Sequence, residues 1–216
     1  STNKGNPPPA VVKLEIPEIP EPSWALIPEQ QDGTPAGVLV FFDEPSGALS
    51  EKSVTVWASG WREAVAQYNV AVILIPSSDS DSWRQADLER VGKTISALTQ
   101  RCKIDPTRIA FAGSKAGGTF AWMGANRFDT IARGVCLINA TIPQRARIRE
   151  ASPDRFRWVL FGTARTEKMT KEVSQQYQQT IKRLRDAGVP ASQIPLGNHS
   201  TRASKLCQWV ESLGVL

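Results

Sequence analysis

The sequence carries one histidine, three cysteines and no apolar run that approaches the length of a membrane span. Each shortage excludes something. Cys102, Cys136 and Cys207 lie far apart with no CxxC or Cys/His spacing, so neither a disulfide framework nor a zinc site is expected, and each reads as a buried thiol. A spanning helix needs about 20 consecutive apolar residues, and the chain does not open on a signal peptide, so no membrane span is expected and the compartment stays open. No internal repeat is visible. No metal or cofactor is expected either: the aspartates that alternate with serines at 77–82 lack the glycine and terminal glutamate of a calcium loop.

The chain is basic, with 26 Lys and Arg against 21 Asp and Glu, a net charge of +5. Its densest basic stretch, Arg145, Arg147 and Arg149 followed by Arg155 and Arg157, comes without a nucleic-acid motif and reads as a solvated loop, so no nucleic-acid partner is expected. Composition otherwise fits one globular domain: 216 residues, 41% hydrophobic and 22% charged.

The start, residues 1–9, is polar and ends in three prolines, which reads as a linker or fragment edge, with the domain running from 10 to 216. Val11 to Ile16 and then Trp24 to Ile27 suggest extended segments interrupted by prolines, a pattern suited to a sheet edge. From Gly37 onward apolar strands alternate with amphipathic helices. Val38–Phe42 and Val70–Ile75 are buried strand runs, and Val54 to Tyr68 and Asp87 to Cys102 are helices. Then follow a strand at 108–112, a helix from Gly117 to Asn126, and strands at 134–139 and 157–161. A long polar helix from about Lys168 to Ala187, a short strand near 193–196 and a last helix after His199 complete the chain. This alternation predicts an α/β three-layer sandwich, a mostly parallel central sheet with helices on both faces.

The run Asp105-Pro106-Thr107-Arg108-Ile109-Ala110-Phe111-Ala112-Gly113, leading into Ser114-Lys115-Ala116-Gly117-Gly118, resembles the nucleophile elbow of α/β-hydrolases, in particular esterases and dienelactone-hydrolase-like enzymes. The resemblance covers the chain from about Gly37 onward. An elbow holds its nucleophile on a tight, strained strand-to-helix turn, which requires small residues two positions before and after it and a following backbone N–H, here that of Ala116, facing the substrate carbonyl. Gly113 and Gly117 fill the small positions, and Lys115 stands where the family has serine. A lysine is not a substitute. It is mostly protonated at neutral pH, and a cation at a helix N-terminus is disfavoured by about 0.3–1 kcal/mol.

The other positions that the resemblance implies also depart from the pattern. The acid would stand at Arg165, with Glu167 two residues on as a displaced alternative. His199, the lone histidine, falls after the final strand, where the family has its catalytic histidine. The oxyanion loop would be Asp43-Glu44-Pro45-Ser46-Gly47, where Ser46 and Gly47 turn the backbone while Asp43 and Glu44 would repel a developing oxyanion. A salt bridge from Lys115 to Asp43 or Glu44 is expected from the charge pairing. Trp83 lies in a loop overlooking the cleft, placed for helix-start packing or for ligand contact.

Two functions follow. One is a non-hydrolysing, hydrolase-like domain with a binding, scaffolding or regulatory role, with a small anion near Lys115 as ligand. Similar domains close bacterial multidomain, protease-like proteins, which implies other domains of a larger polypeptide as partners and an extracytoplasmic bacterial origin. The alternative is an active serine esterase or peptidase that shifts the elbow by one residue, placing Ser114 between Ala112 and Ala116, with His199 as its partner.

Overall fold

In a computed structural model, residues 8–30, 33–152, 157–164 and 171–215 are described. Among them eight strands form one sheet in the order β1-β2-β4-β3-β5-β6-β7-β8. β1 (Ala10–Ile16) and β2 (Ile19–Ile27) are antiparallel neighbours, and β2 is antiparallel to β4 (Val70–Leu74). The remaining pairs are parallel: β4 with β3 (Ala36–Phe42), β3 with β5 (Ile104–Ser114), then β6 (Gly134–Ile138), β7 (Trp158–Ala164) and β8 (Ala191–Gly197).

The prolines of β2 are accommodated by position. β4 pairs only with Trp24–Leu26, so Pro20 and Pro22 lie on the stretch that has no ladder to donate to on that side. Asp105-Pro106 sits inside an irregularity of β5: Ala36 pairs with Ile104, and regular pairing resumes at Val38 with Ile109. The strand is therefore longer than the run at 108–112 suggests.

Strand residues point alternately to the two faces, and each face is apolar because helices cover both. Val38, Val40 and Phe42 of β3 pack in one layer with α3 (Asp87–Thr99), α4 (Ala116–Arg127) and α5 (Lys171–Asp186). Leu39 and Phe41 pack in the other with α1 (Glu51–Ser59), α2 (Arg62–Tyr68) and α6 (His199–Ser212). Where the periodicity suggests one helix over Val54–Tyr68, the chain forms two. Trp61 is fully buried and opens the second helix, and Gly60 between them makes room for His199. The helix after β8 starts at His199 itself, because Asn198 caps it by accepting from Thr201 N–H at 2.9 Å.

All three cysteines are free and buried: Cys136 within β6, Cys207 within α6, and Cys102 in the turn after α3. Arg149 in the basic loop pairs with Asp129 at 2.7 Å. No helix among the described residues is long and apolar enough to cross a membrane, and no cluster of three or more His, Cys, Asp or Glu there suits a metal.

Candidate functional site

The C-terminal ends of β3, β5 and β8 bring the singled-out residues to one rim of the sheet. At the end of β5 the chain turns sharply into α4, and Lys115 is the tip: φ is 49° and ψ is −115°. A side chain in this left-handed region stores about 1–3 kcal/mol of strain, which must be held by the surroundings. The holding groups are visible. Lys115 N–H donates to Ile138 O at 2.8 Å, and Lys115 O accepts from Gly118 N–H at 3.0 Å.

The flanking glycines are sterically required. A Cβ on Gly113 would stand 2.2 Å from Gly117 O, and one on Gly117 would stand 2.3 Å from Phe42 O and 2.5 Å from Asp43 O. A Cβ on Gly118 would stand 2.6 Å from Ala140 Cβ and 2.8 Å from Gly113 O. The backbone of β3's end thus nests against the first turn of α4, as an elbow demands.

Lys115 reaches back across this junction to Glu44, with Nζ 2.9 Å from Oε1. The expected salt bridge is present, and Glu44 rather than Asp43 makes it. Both side chains are about half exposed. Ser114 is the last residue of β5, paired with Ile138, and its Oγ is buried with no hydrogen-bond partner among the described residues. Ala116 is exposed and begins α4 directly after the tip.

The loop after β3 spends its donors locally. The backbone N–H groups of Ser46 and Gly47 both donate to Ser77 Oγ, at 3.0 and 3.1 Å, and Glu44 N–H donates to Asp43 Oδ1 at 3.0 Å. Trp83 belongs to the packing of this loop: its Nε1 donates to Asp43 O at 3.1 Å, and its ring stacks on Phe120 with centroids 4.6 Å apart. Beside the loop is a cavity of about 390 Å³ whose walls include Asp43, Glu44, Ser46, Trp57 and Leu74. Lys115 and His199 are not among its lining residues.

His199 takes a partner that the sequence does not advertise. Its Nδ1 lies 2.6 Å from a terminal guanidinium nitrogen of Arg202, one turn further along α6. The ring stands edge-on to Trp61, 6.5 Å between centroids, and its Cδ2–Nε2 edge lies over Gly60, where a Cβ would come within 2.4 Å of Cδ2. Burial, and then the charge of Arg202, hold the imidazole pKa below its ordinary 6.5, while Asp43 works in the opposite direction. Arg202 is itself partly buried, with its guanidinium over the Phe41 ring at 5.8 Å and its Nε buried without a hydrogen-bond partner among the described residues. A basic residue at i+3 of the lone histidine was the available signal. Arg165 and Glu167, which the resemblance would put at the acid position, lie outside the described residues.

No protein-family model matches the sequence, and no curated protein matches it. Solved structures do. A substrate-bound fluorophosphonate-binding serine hydrolase of Staphylococcus aureus aligns with a TM-score of 0.65 at 13% identity, over 95% of this chain and 98% of that one. An esterase of Pyrobaculum calidifontis aligns at 0.65 and 16%, over 96% and 86%. A dienelactone-hydrolase-like promiscuous phosphotriesterase from metagenomic libraries aligns at 0.61 and 15%, over 94% and 98%. Identities this low carry architecture rather than activity, and the strand order, the strained turn at Lys115 and these matched structures together establish that the chain has the α/β-hydrolase fold.

Proposed function

We propose that this is a non-hydrolysing α/β-hydrolase-like domain, a binding or scaffolding part of a larger protein that takes a small anion at Lys115. The observation that carries this reading is the tip residue. A protonated amine, paired with Glu44, stands on the strained turn where the chemistry requires a hydroxyl beside a base. Two further features support it: the N–H groups of Ser46 and Gly47 are already used by Ser77, and two carboxylates flank the place where an oxyanion would develop. The exposed side of Lys115 is the approach for an anion, since the neighbouring cavity is walled by Asp43 and Glu44. An exposed ion pair is worth about 0–1 kcal/mol, so a ligand carboxylate can exchange with Glu44 at little cost.

The competing reading is a serine esterase or peptidase built on Ser114 and His199. Its support is the matched structures, several of which are esterases or serine hydrolases, together with the Ser114 hydroxyl, which has no hydrogen-bond partner among the described residues. Against it stand the burial of that hydroxyl within β5 and an arginine, not a carboxylate, on the imidazole.

Hydrolysis of p-nitrophenyl acetate separates the two. Under the first reading the purified protein does not exceed the buffer rate, and Ser114→Ala changes nothing. Turnover that Ser114→Ala abolishes and Lys115→Ala spares would establish the second.

A further inference from the structure

We propose that Arg202 fixes His199 as the neutral tautomer protonated at Nε2, so that the imidazole presents a hydrogen-bond donor where a general base would present a lone pair. Donors and acceptors decide the tautomer. A guanidinium has five N–H donors and no acceptor, so a nitrogen 2.6 Å from it in a hydrogen bond must supply the lone pair. Nδ1 is that nitrogen, and the single proton of a neutral imidazole is then on Nε2.

This reverses the polarity of a catalytic triad. There a carboxylate accepts from Nδ1–H and leaves Nε2 free to take a proton from the nucleophile. Here the partner donates, and Nε2 carries the proton already. Arg202 is a positioning residue: it sits one turn along the same helix face, and its guanidinium rests on Phe41. The groups around the imidazole are consistent with a neutral ring. Arg202 on α6 opposes protonation, Asp43 after β3 favours it, and Trp61 and Gly60 from the α1–α2 junction add no charge.

The inference deepens the non-hydrolysing reading and rests on it for its meaning: a ring whose Nε2 already carries the proton, and whose Cδ2–Nε2 edge lies over Gly60, is not set to take a proton from a hydroxyl. Its test needs neither ligand nor turnover. The chain contains one histidine, so a long-range proton–nitrogen correlation spectrum of the labelled protein reports His199 alone. At pH 8 the expected spectrum has an unprotonated Nδ1 and a protonated Nε2, and the titration midpoint lies below 6.5. Arg202→Met, which keeps the packing on Phe41 and removes the donor, moves the midpoint up toward 6.5 and admits the Nδ1-protonated tautomer. A protonated Nδ1 in the unaltered protein would overturn the proposal, and that spectrum requires no variant to fold. An unchanged midpoint and tautomer in Arg202→Met would overturn it equally. Esterase turnover would defeat the non-hydrolysing reading while leaving the tautomer to be decided by the spectrum.

Discussion

Lys115 and Glu44 meet at 2.9 Å across the turn that joins β5 to α4, with side-chain exposures of 52% and 55%. The pair links the tip of the elbow to the loop after β3 while staying open to water. Exposed pairs contribute about 0–1 kcal/mol and are screened by salt. Glu44→Gln is therefore expected to lower the unfolding free energy by less than about 1 kcal/mol, with the difference shrinking in high salt. Urea denaturation at two ionic strengths reads this directly.

The backbone at the tip costs more than the ion pair returns. Lys115 has φ 49°, a region that glycine enters freely. Lys115→Gly removes about 1–3 kcal/mol of strain and adds roughly 0.5–1 kcal/mol of unfolded-state freedom, so a net stabilisation of about 1 kcal/mol is expected. Lys115→Ala keeps the strain and lacks this gain. A lower denaturation midpoint for the glycine variant than for the alanine variant would contradict the assignment of strain to this turn.

Gly113 and Gly117 should tolerate nothing larger. A methyl at either position meets backbone carbonyls, 2.2 Å away at Gly113 and 2.3 Å at Gly117, and neither carbonyl belongs to a flexible side chain. Gly113→Ala and Gly117→Ala are each expected to destabilise by at least about 3 kcal/mol. Thermal denaturation, or the loss of soluble protein on expression, checks this.

The depressed pKa of His199 gives stability a pH dependence of definite sign. Below pH 6.5 the unfolded chain takes up a proton that the folded chain resists, so the contribution from this residue is complete above 6.5. It is lost as the pH falls from there toward the lower folded value. His199→Gln should flatten the stability profile in that window. A steeper decline in the variant than in the parent would be the wrong sign.

The thiols should be inert in the folded protein. Burial pushes Cys102 up to about 11 and Cys136 up to about 12, and it raises Cys207 as well, so thiolate is scarce at neutral pH. Ellman's reagent at pH 8 is expected to react with none of the three natively and with all three after denaturation.

How much of this was legible in the sequence depends on whether the signal was local. The layered architecture follows from β-branched runs such as Val70–Leu74 alternating with helices such as Asp87–Thr99, because each period is written in neighbouring residues. The tight turn was legible too: glycines two residues either side of a tip are a local pattern, although the backbone that makes them necessary includes Phe42 and Asp43 at the distant end of β3. The break between α1 and α2 was not. Helical periodicity runs straight through Trp61, and what accompanies the break is long-range packing: Trp61 is fully buried, and His199, far along the chain, lies over Gly60 and edge-on to Trp61.

The sequence by itself determined that a lysine, Lys115, stands between the small residues Gly113 and Gly117 and that one histidine serves the whole chain. It also narrowed the lysine's counter-charge to two adjacent carboxylates. Only the tertiary structure chose Glu44 between them, because reach across the β3–β5 junction depends on side-chain direction and not on charge. Only it revealed Arg202 as the partner of His199, since helical spacing allows an i, i+3 contact while packing on Phe41 and Trp61 decides that the contact is made.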